Sequence, residues 1–472
     1  MLAGLTIFGL IAAIVGAIAG AGGGGRSGPG AGQGDPLAFA SDRAGPLQAR
    51  AAAGYAHVLY ALSPGGAPAT ARRVAALRPL VEAAGRASGT DPDRVEAIIF
   101  LESAGRPDVV ASPGTAAAAG LAQILPGTAR QLLGLHVDEA ASHRLGLTLS
   151  RARARRDATR VAAVEATRRR VDQRFDPVAA LGAAGRYLAL ARRTFGRDDL
   201  ATESYHMGIG NLQGILRAYG AGNVSYVQLF FDSSPVRHPA AWQRLASLGD
   251  DSDTYLWRVL AAQAIMARYR HDPAGLDATA ALQVRKNSAE EVLHPLGSTK
   301  VFGDARALRA AYDAERLVSL PDDPRSSGFA VDRGMGQLAG RVGGQPSLYR
   351  GLRPEALALL GYLARGVREL GGPAPLDVTS SVRDQPYQRA LAVGDPEATH
   401  AYSMHTTGFA FDVSRRYASP AQAHAFQFWL DRLQALDLVA WIREPAAIHV
   451  AVAGDASRLL SGAGVGYPTA GP

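Results

Sequence analysis

The first half of the chain carries the apolar spacing of helices. From about residue 72 to residue 272, apolar residues recur three and four positions apart, and runs of β-branched residues are few. This spacing aligns apolar side chains along one face of each successive helix. Residues 71–272 are therefore predicted to fold as an all-α domain.

The pattern changes near residue 352, where strand-like runs join the helices. One of these runs, residues 409–413, alternates with the two-residue period of a half-buried strand. A helix is predicted to begin at Ser419 and Pro420, a cap residue followed by a first-turn proline. The remaining predicted elements are a helix over residues 354–370 and strands over residues 376–382 and 448–452. Residues 351–460 are therefore predicted to form a small α+β domain.

The N-terminal segment is predicted to meet a membrane. Residues 2–21 carry no charge and consist mostly of Leu, Ile, Ala, Val and Gly. About 20 apolar residues are enough to cross the hydrocarbon layer of a bilayer. The stretch is longer than the apolar region of most signal peptides and follows no Lys or Arg, which favours a transmembrane anchor. A cleaved signal peptide stays open, because Ala17 and Ala19 supply the small residues of a cleavage site.

Three other segments lack the periodicity of a folded core. Residues 22–70 are rich in Gly, Ala, Pro and Ser, a composition typical of a flexible tether. Residues 273–350 gather Gly, Pro and Asp and are predicted to form a connector with some local structure. Residues 461–472 are predicted to be a tail. The total of 472 residues is long enough for two or three domains.

Composition and charge narrow the classes of function. Hydrophobic residues make up 47% of the chain and charged residues 19%, which excludes wholesale disorder. A net charge of +8 favours a polyanionic partner, such as nucleic acid, acidic lipid headgroups or an anionic cell-wall polymer. Residues 151–170 hold eight Arg against one Asp and one Glu; we expect a solvated helix face there, with contact to headgroups or wall polymer as the alternative. The absence of cysteine excludes disulfides, thiolate zinc sites and cysteine nucleophiles.

One glutamate stands at the end of an apolar helix. Asp91 and Pro92 give the N-cap and first-turn proline of a helix that continues to Glu102. Glu102 lies beside Leu101 and one turn after Ile98, so its ionised form is destabilised and its pKa is expected to rise. A carboxyl with a raised pKa can act as a general acid near neutral pH. The alternative is a helix-end glutamate that reaches water.

Four sequence blocks that begin with this glutamate resemble a known family. In order they are Glu102-Ser103, Gly120-Leu121-Ala122-Gln123-Ile124-Leu125-Pro126-Gly127-Thr128-Ala129, Phe175-Asp176-Pro177 with Gly185-Arg186-Tyr187-Leu188, and Ser204-Tyr205-His206-Met207-Gly208-Ile209-Gly210-Asn211. Together they resemble the goose-lysozyme-like lytic transglycosylases, over roughly residues 75–270. Ala122 stands where the family usually has methionine, and His206 where it usually has asparagine.

This resemblance implies a lysozyme-like all-α fold and cleavage of the bond between N-acetylmuramic acid and N-acetylglucosamine. Glu102 would protonate the glycosidic oxygen and then act as the base while the sugar's own 6-hydroxyl closes a 1,6-anhydro ring. No second catalytic carboxylate is required, because no water attacks. Gln123, Tyr205 and Asn211 are the implied substrate-binding residues.

Two histidines and an aspartate in the second domain are candidate metal ligands. His405 precedes a predicted strand, Asp412 lies on that strand, and His449 lies on the last strand. Two imidazoles and one carboxylate leave a tetrahedral position open for water, which is the pattern of a catalytic zinc site. Glu444, five residues before His449, is the candidate base for that water.

The block from Ser403 to Asp412 also resembles a known signature. It is similar to the Ser-x-His-x-x-Gly-x-Ala-x-Asp signature of the D-alanyl-D-alanine carboxypeptidase group of zinc peptidases. The resemblance spans about residues 352–455 and implies zinc ligation by His405, Asp412 and His449. It also implies substrate binding by Arg383, Gln388 and Ser403. The family usually places its glutamate three residues before the last histidine, so Glu444 is two residues further away than expected.

Both resemblances lead to the same polymer, peptidoglycan. We therefore expect an enzyme of the bacterial cell envelope that cuts glycan at one site and, with Zn²⁺, stem peptides at the other, anchored to or exported across the inner membrane. One alternative is a non-catalytic scaffold that binds peptidoglycan, and another is an enzyme with one active and one inactive site. Nucleic acid is the least favoured partner, because the basic segment lacks interleaved aromatic residues.

Overall fold

The computed structural model describes residues 37–285, 288–394, 398–399 and 402–456. The predicted membrane segment over residues 2–21 and the predicted tail over residues 461–472 lie outside the described residues. Among the described helices, none combines the length and the apolar character needed to cross a bilayer.

The described chain forms two compact units. The first, the helical unit, consists of Tyr55–Phe230 and Ala240–Val284. The second, the mixed unit, consists of residues 37–54, Phe231–Pro239 and residues 285–456. The expected combination of an α-rich part and a part with a small sheet is confirmed.

Most of the chain up to Val284 is helical. The α-helices of this region, in chain order, are α1 (Ala44–Leu62), α2 (Ala67–Ala75), α3 (Arg78–Ser88), α4 (Pro92–Ser103), α5 (Pro126–Gln131), α6 (Glu139–Ala154), α7 (Ala158–Val171), α8 (Pro177–Phe195), α9 (Asp198–Met207), α10 (Ile209–Tyr219), α11 (Tyr226–Asp232), α12 (Pro239–Ala246), α13 (Tyr255–His271) and α14 (Pro273–Gln283). Helix α4 packs against α3 and α13, and α8 packs against α3 and α9.

Local sequence signals explain where the central helices begin. The side chain of Asp91 accepts a hydrogen bond from the backbone N–H of Asp93, and Pro92 occupies the first turn of α4. Asp176 caps α8 in the same way, through the N–H of Ala179. A short acceptor before a first-turn proline satisfies an amide that the helix itself leaves unpaired.

The arginine-rich segment forms the helical hairpin of α6 and α7. Five exposed arginines surround the tip of this hairpin: Arg151, Arg153, Arg155, Arg156 and Arg160. The solvated helix face expected for this segment is therefore confirmed for the tip.

The mixed unit is built around a five-stranded sheet. Its helices are α15 (Ser288–Leu293), α16 (Ala305–Asp313), α17 (Pro324–Ser327), α18 (Pro354–Gly371), α19 (Gln385–Ala392) and α20 (Pro420–Ala435). Its strands are β1 (Val318–Ser319), β2 (Phe329–Val331), β3 (Gly351–Leu352), β4 (Leu376–Ser380), β5 (Ala410–Ser414), β6 (Val439–Arg443) and β7 (Ala447–Val452). The strand order of the large sheet is β2-β4-β5-β7-β6, and β1 pairs with β3 in a separate two-stranded ladder.

Strand register sets which residues share a face of the sheet. All neighbouring pairs in the large sheet are antiparallel except β2 with β4. Asp412 on β5 lies directly opposite His449 on β7, and Ser380 on β4 lies directly opposite Asp412. Side chains on directly opposite residues point to the same face. Phe411 and Val450 therefore point to the other face, where both are completely buried.

The predicted flexible tether is wrong for the part of it that the structure describes. Residues 41–43 form a helical turn, and α1 and α2 cover most of the remaining residues to position 75. The alanine content that suggested a low-complexity linker also favours helix. Leu47 and Ala51, four residues apart on α1, are buried, so one face of this helix belongs to a packed core.

The predicted connector over residues 273–350 is also wrong. Helix α14 continues the helical unit, whereas the chain from residue 285 onward belongs to the mixed unit. Phe329 on β2 pairs with Leu376, which makes this segment an edge strand of the main sheet. Between residues 285 and 350, the strands have two or three residues and the α-helices four to nine, which is too short to produce a detectable period.

Candidate functional site

Glu102 lies at the C-terminal end of α4, where the chain turns sharply. It is the penultimate residue of that helix, and Ala104 follows in the left-handed region with φ 53°. The side chain of Glu102 is partly exposed, whereas Ser103 beside it is buried and donates to the carbonyl of Ile99 at 3.2 Å. The predicted catalytic carboxyl therefore stands at a helix end in a half-buried position.

A tyrosine that the sequence analysis missed contacts this carboxyl. Tyr255, the first residue of α13, donates its Oη–H to Oε1 of Glu102 at 2.6 Å. Burial raises the pKa of Glu102 to about 7, although the Tyr255 hydrogen bond and the positive charge of Arg258 both lower it. Near neutral pH, Glu102 therefore exists in comparable amounts of acid and conjugate base, as a group that must give and retake a proton requires.

Aromatic rings form a stack beside Glu102. The rings of Tyr205 and Tyr255 are nearly parallel, with centroids 6.2 Å apart. His206 stacks on Tyr255 at 5.2 Å, and its Nδ1 lies 2.7 Å from Oγ of Ser252. Tyr205 donates its Oη–H to the carbonyl of Ala122 at 2.8 Å. The predicted substrate-binding Tyr205, on α9, thus connects this helix to the loop that contains Gln123.

The other two predicted glycan-binding residues use their amide nitrogens within the protein. Nε2 of Gln123 donates to the carbonyls of Gly120 and Val109, at 2.8 and 3.2 Å. Nδ2 of Asn211 donates to the carbonyl of Met207 at 2.8 Å, and the side chain is exposed on α10. Both N–H groups of Gln123 and one N–H group of Asn211 are therefore used within the protein.

A buried glutamate on α9 binds the backbone next to Tyr255. Glu203 is fully buried, and its Oε2 accepts the backbone N–H of Leu256 at 2.7 Å. Leu256 directly follows Tyr255, so this bond holds the start of α13 in place. Burial raises the pKa of Glu203 well above its ordinary value. The sequence offers no signal for Glu203, because Asp198, Asp199 and His206 make the same helix polar.

The predicted metal ligands come together on one face of the main sheet. Oδ1 of Asp412 lies 2.8 Å from Nδ1 of His449 and 3.1 Å from Nε2 of His405. The same two nitrogen atoms lie 3.1 Å from each other. All three residues are buried, and together they could hold a metal ion.

An acceptor group lies on the far side of each imidazole. Nδ1 of His405 lies 2.8 Å from the carbonyl of Ser381, which can only accept, so Nδ1 carries the proton and Nε2 presents a lone pair. Nε2 of His449 lies 3.4 Å from Oε1 of Glu290 on α15. Atoms bound to zinc at about 2.0–2.1 Å in a tetrahedral site are about 3.3 Å apart, close to the spacing seen here. The donor set therefore fits a divalent transition-metal ion.

The contacts among His405, Asp412 and His449 shift the pKa of each of the three residues. Burial lowers the pKa of His405 to about 4, and the positive charge of Arg383 contributes. Burial would raise the pKa of Asp412, but the two histidines hold it well below its ordinary value. Burial would lower the pKa of His449, but its contacts with Asp412 and Glu290 raise it to about 10. A metal ion bound here has to displace a proton from His449.

A glycine makes the turn before Asp412 possible. His405 lies in the 3₁₀ helix Met404–Thr407, and Gly408 ends this helix with φ 80°. A Cβ on Gly408 would lie 3.0 Å from Leu317 and 3.2 Å from Arg353. The conformation and the close neighbours both favour glycine.

Arg383 lies next to the metal group and is held in place by several partners. Its Nη2 donates to Oγ of Ser380 at 2.7 Å and to Oδ2 of Asp412 at 3.3 Å. Its Nη1 donates to Oε1 of Gln388 at 3.0 Å. The predicted substrate-binding Gln388 therefore positions Arg383 in this structure, while Ser403 is buried one residue before the helical turn that carries His405.

Glu444 lies at the tight turn between β6 and β7. Its backbone N–H donates to the carbonyl of Ala447 at 3.0 Å, and its own carbonyl accepts from Arg415 at 2.8 Å. Ile442, the residue of β6 directly opposite His449, lies two positions before Glu444. Glu444 therefore follows the end of β6, and it is not part of the group formed by His405, Asp412 and His449.

A second group of possible ligands occurs among the described residues, formed by His206, Asp250 and Asp251. All three are exposed, and Asp251 forms an ion pair with Arg258. These features distinguish it from the buried group on the sheet.

No protein-family model matches the chain, and a search of curated proteins found no significant relative.

Proposed function

We propose that this protein is a peptidoglycan-remodelling enzyme with two sites, a lytic transglycosylase site at Glu102 and a zinc peptidase site at His405, Asp412 and His449. The observation that carries the first half is the carboxyl of Glu102, with a pKa near 7, bonded to Tyr255 beside an aromatic stack. The observation that carries the second half is the buried group of two oriented imidazoles and one carboxylate.

In the glycan reaction, protonated Glu102 gives its proton to the oxygen that links muramic acid to the next sugar. The bond from the anomeric carbon to that oxygen breaks, and positive charge develops on the sugar ring. The 6-hydroxyl of the same sugar then bonds to the anomeric carbon, and its proton returns to Glu102. Tyr255 stabilises the carboxylate between the two proton transfers, because its hydrogen bond favours the ionised form.

Aromatic residues supply the binding surface for this reaction. The faces of sugar rings carry C–H groups that pack well against aromatic side chains, as apolar surfaces do. Tyr205, Tyr255 and His206 form such a surface next to the carboxyl. The carbonyl oxygens of Gln123 and Asn211 are the proposed acceptors for sugar hydroxyl or amide groups.

In the peptide reaction, zinc when bound supplies an activated water and a Lewis acid for the scissile carbonyl. His405, Asp412 and His449 are the residues that would hold it. Arg383 binds the carboxylate or carbonyl of the stem peptide by charge-assisted hydrogen bonds, while Gln388 and Ser380 fix its guanidinium. Glu444 accepts the proton of the attacking water and delivers it to the leaving amine.

The test is mass spectrometry of purified peptidoglycan after digestion by the full chain with Zn²⁺. We expect glycan products that end in 1,6-anhydro-muramic acid, and their loss in Glu102→Gln but not in Glu82→Gln, a partly exposed glutamate on α3 that pairs with Arg78. We also expect shortened or uncrosslinked stem peptides, and their loss in His449→Ala but not in His424→Ala on α20.

Each half of the proposal fails separately. Intact glycan after incubation with folded protein would contradict the transglycosylase, and intact stem peptides in the presence of Zn²⁺ would contradict the peptidase. If both remain intact while the protein sediments with the wall material, the protein is a binding scaffold.

A further inference from the structure

Glu290 belongs to the predicted connector over residues 273–350, outside the predicted α+β domain. It belongs to the short helix α15, and its side chain is buried, with 6% of the residue exposed. Ala289 and Leu293 of the same helix pack against a core cluster that includes Ala410 and Ala451. Those two alanines share a sheet face with Asp412 and His449, since they lie two residues away on β5 and β7. Helix α15 therefore covers the face of the sheet that carries the metal group.

The residue after α15 fixes this arrangement. Nε2 of His294 donates to the backbone carbonyl of Val452 at 2.6 Å, and the ring stacks on Phe409 at 4.1 Å. Tyr402 donates to the carbonyl of His294 at 3.0 Å. The helix that carries Glu290 is thus attached to the end of β7 and to the approach to β5.

The carboxylate of Glu290 faces one imidazole. Its Oε1 lies 3.4 Å from Nε2 of His449, and within the described ranges this is the only ion pair that Glu290 forms. The other ring nitrogen of His449, Nδ1, faces Oδ1 of Asp412 at 2.8 Å. Because the two nitrogens of an imidazole point in widely different directions, Glu290 lies behind the ring and is not a fourth ligand.

This contact gives His449 an acceptor for a proton on Nε2. A neutral imidazole has one N–H, and a carboxylate can only accept it. When a metal ion takes the lone pair of Nδ1 together with Asp412 and His405, the one remaining proton of His449 is on Nε2 and faces Glu290. The carbonyl of Ser381 does the same for His405 with the two nitrogens exchanged. Each imidazole of the group thus has its own acceptor behind it.

We infer that Glu290 is a positioning residue of the metal centre, which sets the tautomer and the orientation of His449. The inference rests on the proposed function in so far as it names zinc as the ion. A carboxylate behind a ligating imidazole raises the basicity of the ligand atom and fixes the ring. The loss of such a partner typically weakens metal binding by about 10- to 100-fold.

The test compares Zn²⁺ affinities of the full chain and its variants, measured by competition with a chromophoric chelator. We expect Glu290→Gln to bind Zn²⁺ at least about 10-fold more weakly than the unaltered chain, and Glu290→Ala to bind more weakly still. Glu291→Gln is the matched control, because Glu291 is the next residue of α15 and pairs with Arg285 instead. We expect the control to bind Zn²⁺ as the unaltered chain does.

Two further readouts separate positioning from general stability. In excess chelator, we expect Glu290→Gln to remain folded, because the amide keeps the size of the carboxylate. With Co²⁺ in place of Zn²⁺, we expect the visible absorption bands of the tetrahedral ion to shift or weaken in Glu290→Gln only. ¹⁵N NMR of the histidine rings in the zinc-loaded protein should show the proton of His449 on Nε2.

Equal affinities for Zn²⁺ in the unaltered chain and both Glu290 variants would overturn the inference, as would a His449 proton on Nδ1. The result is independent of the proposed cleavage reactions. A chain that binds Zn²⁺ through Glu290-supported His449 but leaves stem peptides intact contradicts the peptidase proposal and leaves the role of Glu290 standing.

Discussion

The Oη–H of Tyr255 and Oε1 of Glu102 are joined by a 2.6 Å hydrogen bond between the first residue of α13 and the end of α4. Burial and this hydrogen bond have opposite effects on the pKa of Glu102. Burial raises the pKa of Glu102 to about 7, and the phenol lowers it from the higher value that burial alone would give. Tyr255 is therefore the residue through which the acidity of the proposed catalytic group can be changed with little change in its position.

Replacement of Tyr255 by phenylalanine should move the pH dependence of glycan cleavage upward. The unaltered chain should lose kcat/KM above about pH 7, because the free enzyme must carry protonated Glu102. A hydrogen bond to a charged group contributes about 1.5–3 kcal/mol, so Tyr255→Phe should raise the alkaline limb by about one to two pH units. The measurement is kcat/KM against pH with a soluble muropeptide chain.

Tyr219→Phe is the matched control for this experiment. Tyr219 is a buried tyrosine of the same unit whose Oη accepts a hydrogen bond from Gln228. Its substitution should leave the alkaline limb in place. An unmoved limb in Tyr255→Phe, with a measurable rate, would show that Glu102 is not the group that titrates.

The same pKa makes a prediction about stability. The pKa of Glu102 is raised from 4.5 to about 7 on folding, so the folded state holds the proton more tightly than the unfolded state. The stabilising effect of protonation is complete below about pH 4.5 and is lost as the pH rises to about 7. Glu102→Gln cannot ionise and should therefore melt above the unaltered chain at pH 8 and level with it at pH 4. A lower melting temperature at pH 8 would contradict the burial argument.

The short-range features of both sites could be predicted from the sequence. The helix before Glu102 was marked by its cap and proline, and the observed α4 ends one residue after this glutamate. The predicted strand over residues 409–413 is observed as Ala410–Ser414, and that over residues 448–452 as Ala447–Val452. Alternation along each strand is enough to place Asp412 and His449 on defined faces. The register that brings them opposite each other is a property of the folded sheet.

The partners of these residues could not be predicted, because they come from distant parts of the chain. Nothing in the sequence around Tyr255 or Glu290 distinguishes either residue from the tyrosines and glutamates of a protein surface. Strand β6 also escaped prediction, since five residues next to a turn give little periodic signal. The alanine-rich composition of residues 44–62 is compatible with a tether or a helix. The structure shows helix α1 there, because one face of this helix is buried in a packed core.

Zinc should stabilise the mixed unit. A ligand that binds only the folded state adds about 2.7 kcal/mol when its concentration is 100 times Kd. The melting transition of the unaltered chain should rise on addition of Zn²⁺ and return when a chelator is added. Asp412→Asn should abolish the rise, because the shared oxygen Oδ1 contacts both histidines and an amide carries no charge. An equal rise in this variant would place the bound zinc elsewhere.

A methyl group at Gly120 should disrupt the loop that carries Gln123. Gly120 has φ 78°, and a Cβ there would lie 1.7 Å from the backbone oxygen of Arg174. Arg174 cannot move away easily, because its buried guanidinium pairs with Asp172 at 2.8 Å. Gly120→Ala should cost more than about 2 kcal/mol of unfolding free energy. Gly127→Ala, where no atom lies within 4 Å of the added Cβ, should leave the stability nearly unchanged in the same urea titration.

Glu203 should control glycan cleavage without touching the substrate. Thr254, the N-cap of α13, provides no side-chain cap, and Oε2 of Glu203 accepts the Leu256 N–H in its place. Glu203→Gln keeps a carbonyl oxygen at this position and should retain most of the activity. Glu203→Leu leaves a buried N–H without an acceptor, at a cost of about 1–3 kcal/mol, and releases the helix end that holds Tyr255.

Kinetics can separate this role from a general loss of stability. If Glu203 acts through Tyr255, then Glu203→Leu should lower kcat and shift the alkaline limb of kcat/KM upward, as Tyr255→Phe does, at temperatures where the variant remains folded. The proposed zinc-dependent peptide cleavage, assigned to the mixed unit, should be unaffected in the same samples. A fall in both activities together, or a lower kcat with an unshifted limb, would mean that Glu203 serves the stability of the helical unit alone.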